Sequence, residues 1–145
     1  MIKIICLGKI KEDYLNDLIK DYQTRITKYH KIEIIELKDQ NDLNKEATDI
    51  EKYLNPRDYI ISCAIEGEQF DSKSFANKIN ETFNNYGTIT FIIGSSEGIH
   101  SRIKDKSNLK LSFSKFTMPH GLFRGVLLEQ IYRSFKIINN ETYHK

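Results

Sequence analysis

The sequence predicts an α/β domain with a mostly parallel sheet and helices on both faces. Apolar runs alternate with stretches of helical period along the whole chain. Tyr59–Ile65 is apolar at nearly every position and Thr88–Ile93 is β-prone throughout, as strands covered on both faces are. No linker rich in Pro, Gly or Ser interrupts the chain, and no period of about 20–50 residues repeats. Residues 1–145 are therefore expected to form a single domain.

The elements follow in order. Ile2–Leu7 reads as a first strand closed by Gly8. Leu15, Leu18, Ile19, Tyr22 and Ile26 share one helical face, which predicts an amphipathic helix over 12–28. Ile32–Leu37 is a second strand. A polar stretch, Lys38–Asn44, leads into a helix over 43–54 that must stop before Pro56. The strand Tyr59–Ile65 follows. Asp71 or Ser72 can cap a helix carrying Phe75, Ile79 and Phe83. Thr88–Ile93 is the next strand. A short helix is expected over 99–106, then a strand over Leu109–Phe113, then a long helix over 121–138 and a polar tail ending Tyr143-His144-Lys145.

Composition narrows the function classes. A chain of 145 residues with 39% hydrophobic and 29% charged residues can build its own core, which excludes disorder and low-complexity architectures. No apolar run approaches the roughly 18 residues of a membrane span, and Met1–Gly8 is too short for a signal peptide, so a cytoplasmic protein is expected. Cys6 and Cys63 sit inside apolar runs and read as small buried hydrophobes. The histidines (His30, His100, His120 and His144) lack metal-ligand spacing, so no metal is expected. Charge is uneven: residues 1–100 carry 13 Lys and Arg against 17 Asp and Glu, whereas residues 101–145 carry 9 against 3. A basic last third is a modest footprint for a polyanion such as nucleic acid.

In open parallel sheets, ligands bind where loops leave the carboxyl ends of strands. Three segments qualify: Cys63–Gly67, Gly94–Gly98 and Phe113–His120. Gly94-Ser95-Ser96-Glu97-Gly98 lets backbone approach a ligand closely, but it lacks G-x-G-x-x-G and a Walker lysine. It also matches the hydrolase pattern G-x-S-x-G, with Ser96, Asp105 and His120 in triad order. That pattern is short, and the chain is small for the fold. Ser112–Gly121 mixes hydroxyls and apolar side chains ahead of a Pro pre-organised for a helix start, which suits edge contacts to an adenine ring. The last helix is apolar on more than one side, and its expected second cover is a partner subunit in a homodimer.

Several motifs occur in a fixed order. They are Leu7-Gly8-Lys9, Phe91–Gly98, Leu111–His120 with Arg124, Glu129-Gln130-Ile131-Tyr132-Arg133, and the terminal Tyr143-His144-Lys145. Over the whole chain they resemble the small SPOUT-class methyltransferases that modify N3 of a pseudouridine in 23S ribosomal RNA. The resemblance implies a C-terminal deep trefoil knot over about residues 88–145 that binds S-adenosylmethionine, and a homodimer packed through that region. It implies cofactor contacts at Cys63, Gly94 and the turn Phe113, Ser114, Lys115, Phe116, Thr117 and Met118. Ser95 and Cys63 depart from the family's usual glycine and aliphatic residue, and Gly121 and Gly125 stand where larger residues are usual.

For methyl transfer to a ring nitrogen, the resemblance places His144 with Tyr143 at the site across the dimer, contacting or deprotonating the base. Arg124 and Lys145 hold phosphate or the developing negative oxygen, and His120 is the alternative proton acceptor. RNA contacts spread over the basic C-terminal third with Lys9, Lys11 and Arg25, and the expected substrate is the folded large subunit or ribosome. A related enzyme methylating a ribose 2′-hydroxyl of transfer RNA and a non-catalytic RNA-binding dimer are the alternatives.

Overall fold

The computed structural model describes residues 1–145, folded around a five-stranded sheet in the order β2-β1-β4-β3-β5 with every pairing parallel. The strands are β1 (Ile2–Leu7), β2 (Ile32–Leu37), β3 (Tyr59–Gln69), β4 (Ile89–Ile93) and β5 (Leu109–Ser112). The helices are α1 (Asp13–Ile26), α2 (Leu43–Glu51), α3 (Ser72–Phe83), α4 (Ser101–Lys106) and α5 (His120–Ile138). No helix is long and apolar enough to cross a membrane.

Alternation along the central strands splits the core in two. Ile2, Ile4, Cys6, Phe91 and Ile93 point to the face covered by α1, α3 and α5. Ile5, Leu7, Ile60 and Ile92 point to the opposite face, covered by α2 and α4 through Ala47, Ile50 and Ile103. β4 is buried at every position, as its sequence requires for a strand between two neighbours. Local chemistry starts two of the helices. Asp42 accepts from the backbone N–H groups of Asn44 and Lys45 at 3.0 and 3.1 Å, and Asp71 forms a reciprocal capping box with Ser74. Each cap is worth about 1 kcal/mol.

The last helix finds much of its cover inside the chain. Leu127, Leu128, Ile131, Tyr132 and Phe135 are buried against α1, α3 and the sheet. Gly121 and Gly125 make this possible on the α1 side: a Cβ at Gly125 would stand 2.7 Å from Cδ2 of Leu18. The helix gives up roughly 1 kcal/mol of propensity at each glycine and gains close approach to α1. Apolar surface on several sides of α5 therefore does not by itself require a partner subunit.

The third strand differs from expectation. Cys63–Gly67 does not form a loop: β3 continues to Gln69 and pairs with β5 on both sides of a bulge. Cys63 and Glu68 both register against Leu111, so residues 64–67 are pushed out of the ladder. Gly67 allows this, because a Cβ there would lie 2.6 Å from the Lys110 backbone.

Candidate active site

Because all strands are parallel, their carboxyl ends lie along one edge, and the bulge of β3, the β4–α4 loop and the β5–α5 turn meet there. They enclose a cleft of about 390 Å³. One wall is Cys63, Ala64, Ile65 and Glu66, the floor is Ile93–Ile99, and the opposite wall runs from Leu111 to Phe123.

The β4–α4 loop is shaped by its glycines. Gly98 takes a φ of +86°, in the region that favours glycine, and its N–H donates to the carbonyl of Ser95 at 2.9 Å. A Cβ on Gly94 would run into the backbone carbonyl of Gly98. Gly94 thus packs directly against Gly98, an approach that any side chain would prevent. The β5–α5 turn is held by its own hydroxyls. Ser112 Oγ donates to the carbonyl of Ser114 at 3.1 Å, and Ser114 Oγ accepts from the backbone N–H of Phe116 at 2.9 Å. Phe113 packs edge-on against Phe123 with ring centroids 5.0 Å apart, giving the cleft an apolar side.

Of the cofactor residues expected from sequence, Cys63, Gly94, Phe113, Ser114, Phe116, Thr117 and Met118 line this cleft. Lys115 does not; it is exposed on the outer side of the turn. Burial pushes the Cys63 thiol up to about 12, so it is a neutral wall atom at neutral pH although part of the residue faces the cleft. Sequence reasoning passed over Glu66 and Lys104, which join across the cleft at 2.6 Å and hold the Glu66 carboxyl below the usual carboxylate range. Only the bulge in β3 brings them together, and the sequence carries no signal for it.

The expected catalytic residues separate. His120 lines the cleft at the start of α5. Arg124 is 3% exposed and lies behind it: Nη1 pairs with Glu36 at 2.7 Å and Nη2 donates to the carbonyl of Gly8 at 3.0 Å. Its guanidinium is committed to the ends of β1 and β2 and is not available to phosphate. Tyr143 and His144 fold back along α5 away from the cleft of their own chain. Tyr143 stacks edge-on against Tyr132 at 4.9 Å, its hydroxyl meets the Tyr22 hydroxyl and donates to the Glu129 carboxylate, each at 3.2 Å, and His144 Nδ1 lies 3.0 Å from Arg133. Burial, then the bond to Tyr22, pushes the Tyr143 phenol up, so it keeps its proton at neutral pH. Arg25 is paired with Asp21 and packed over Tyr22 and Tyr132, whereas Lys9 and Lys11 are exposed beyond β1. Ser96 and Asp105 are both exposed, and neither bonds to His120, so no hydrolase triad forms.

The cleft has the size of small-ligand sites, about 300–1,000 Å³. It combines a tight glycine turn, an apolar side and a hydroxyl-braced turn. Fold, cleft and motif order together define a class: the chain belongs to the SPOUT methyltransferase family, whose model, described as "Predicted SPOUT methyltransferase", matches residues 1–144. Among its relatives are proteins named ribosomal RNA large subunit methyltransferase H. That of Streptococcus uberis is 46% identical and that of Streptococcus pyogenes serotype M49 is 45% identical, each aligned over 99% of both chains. A more distant solved structure is the A. aeolicus TrmH/SpoU tRNA modifying enzyme, at 11% identity and a TM-score of 0.49 over 95% of this chain and 77% of that one.

Proposed function

We propose that this protein methylates N3 of a pseudouridine in 23S ribosomal RNA of the large ribosomal subunit, with S-adenosylmethionine as methyl donor. The observation that carries the reading is the carboxyl-edge cleft, built from Gly94 and the 113–118 turn in a chain that aligns end to end with large-subunit ribosomal RNA methyltransferases. The donor supplies a methyl group on a positively charged sulfur. Cys63, Gly94, Phe113, Ser114, Phe116, Thr117 and Met118 hold it, with apolar walls for its ring and backbone groups for its edges. Lys115, off the cleft and exposed, leaves its charge for RNA phosphate. In this reading the stretch 88–145 is the cofactor-binding knot, and the protein works in the cytoplasm, where ribosomes are.

N3 of a pseudouridine carries an imide proton between two carbonyls, so the chain must take that proton and position the base. His120 is the acceptor that the cleft of one protomer offers. His144 and Tyr143 act from the tail of a second subunit in a homodimer, Tyr143 as a hydrogen-bonding phenol and His144 as contact or base. Lys145 at the chain end meets phosphate or the developing oxygen charge. Arg124 acts through Gly8 and Glu36 as a positioning residue. Dimerisation at the cleft is supported by apolar side chains on its lining that stay exposed, Ile65 at 54% and Phe116 at 86%.

The test is nucleoside mass spectrometry of ribosomal RNA from cells lacking the protein, before and after its return. The proposal expects one 3-methylpseudouridine in 23S RNA to vanish and reappear, and purified protein to methylate large subunits or ribosomes rather than a short stem-loop. A methyl group found on a transfer RNA ribose, or an unchanged RNA profile, overturns it.

A further inference from the structure

Among the buried polar groups, Glu46 is unusual. It lies in the first turn of α2, outside the cleft, and is 1% exposed. It forms no salt bridge with any Lys, Arg or His. A carboxylate taken out of water without a counter-ion needs strong substitutes. It has three. The helix N-terminus favours negative charge, Oε1 accepts from Ser95 Oγ at 3.0 Å, and Oε2 accepts from the backbone N–H of Gln40 at 3.0 Å.

Ser95 carries this anchorage into the cleft. It lines the cleft beside Gly94 and is 8% exposed. While its Oγ donates to Glu46, the same oxygen accepts from the backbone N–H of Glu97 at 3.3 Å, and its carbonyl accepts from Gly98 N–H at 2.9 Å. The Gly94–Gly98 turn, which lines the cleft, is therefore tied to a carboxylate on α2. Through Gln40, that carboxylate also holds the connection leaving β2, on the same edge of the sheet.

We propose that Glu46 is a positioning residue for methyl transfer. Through Ser95 it holds the Gly94–Gly98 loop in the form that receives the donor, so that binding need not order the loop first. The effect on donor affinity rests on the S-adenosylmethionine reading; the effect on the loop does not.

The experiment compares wild type with Ser95→Ala, Glu46→Gln, Glu46→Ala and the double alanine variant. Amide hydrogen exchange is read on the free protein, S-adenosylhomocysteine binding by calorimetry, and folding by melting temperature. Ser95→Ala is expected to speed exchange at Glu97 and Gly98 and leave Gln40 protected, because Glu46 still accepts from it. Its affinity for S-adenosylhomocysteine should fall about tenfold, as expected for loss of a hydrogen bond to a charged group. Glu46→Ala should release Gln40 as well. The double variant should bind no more weakly than Glu46→Ala alone, because the two residues act as one unit. Glu46→Gln keeps one acceptor oxygen and should recover part of the affinity. Wild-type exchange at Glu97 and Gly98 together with wild-type affinity in Ser95→Ala overturns the proposal, whether or not the Glu46 variants fold. Faster loop exchange in the variants, with no heat from S-adenosylhomocysteine in wild type, upholds the anchorage and overturns the donor reading.

Discussion

The imidazole of His120 lies across Gly8, with Nε2 3.2 Å from the point a Cβ on that glycine would occupy. Gly8 has a φ of +91°, which side chains rarely adopt, and its carbonyl is held by Arg124 at 3.0 Å. The end of β1 is thus the seat of the one histidine that lines the cleft. Gly8→Ala should cost about 1–3 kcal/mol from the backbone conformation. It should also displace His120. Methyl transfer is expected to fall further than stability or S-adenosylhomocysteine affinity, which steady-state kinetics beside melting and calorimetry would read. An equal drop in all three would deny His120 its place in the chemistry.

Two other glycines make a controlled pair. At Gly94 an added Cβ meets the Gly98 backbone carbonyl, which cannot turn aside, while at Gly125 it meets Cδ2 of Leu18, the far end of a flexible side chain. Gly94→Ala should therefore displace the loop and weaken S-adenosylhomocysteine binding at least about tenfold, with overpacking costing about 1–3 kcal/mol. Gly125→Ala gains roughly 1 kcal/mol of helix propensity and spends it on moving Leu18, for a net change within about 1 kcal/mol. Calorimetry and thermal melts of the two variants check the contrast, and similar losses in both would refute it.

The same contrast shows where sequence reading stops. The apolar runs located every strand and the helical stripes every long helix, because local patterning decides those elements. The far half of β3 escaped: Glu66, Gly67 and Glu68 look like loop residues, and the ladder resumes only past the bulge, where Glu68 and Gln69 pair with Leu111 and Ser112 of β5. Gly125 looks like a defect in a helix until Leu18 is placed beside it. Arg124 looks like a phosphate ligand until the fold pairs it with Glu36, 88 residues away. The cleft was legible in the 113–118 turn, where local chemistry dictates shape. The Glu46–Ser95 and Glu66–Lys104 contacts were not, because each joins separate elements across the edge of the sheet.

His30 sets a pH dependence of folding. Its ring stacks on Phe83 at 4.2 Å and Phe135 at 5.3 Å, and its Nδ1 lies 3.3 Å from the N-terminal amine. Burial first, and the nearby amine second, lower its pKa from the ordinary 6.5. The folded protein therefore prefers the neutral ring. As pH falls through 6.5 the unfolded chain takes up a proton that the folded chain refuses, and stability declines until the folded value is passed. His30→Phe keeps the stack and removes the proton. Melting curves from about pH 8 to about pH 5 should fall less steeply in this variant than in wild type. Parallel curves would show that His30 does not titrate differently in the two states.

The tail offers a division of labour that can be measured. Tyr143 is packed on Tyr132, bonded to Tyr22 and Glu129, and keeps its proton at neutral pH. It can orient a partner and cannot serve as a base. His144 touches Arg133 but supports little of the packing. His144→Ala should keep the melting temperature and S-adenosylhomocysteine affinity while slowing methylation of ribosomal subunits about a hundredfold or more, the usual scale for a lost acid–base group. Tyr143→Phe should cost about 1 kcal/mol of stability through its lost hydrogen bonds and leave the pH profile of the rate unchanged. Removing Tyr143–Lys145 uncovers the Tyr132 ring and should combine both effects. Mixing His120→Ala with His144→Ala protein tests the crossing of subunits. Heterodimers then contain one cleft with both histidines intact and should regain up to about half of the activity if the tail serves its partner. No recovery in the mixture would place the tail at its own cleft or outside the reaction.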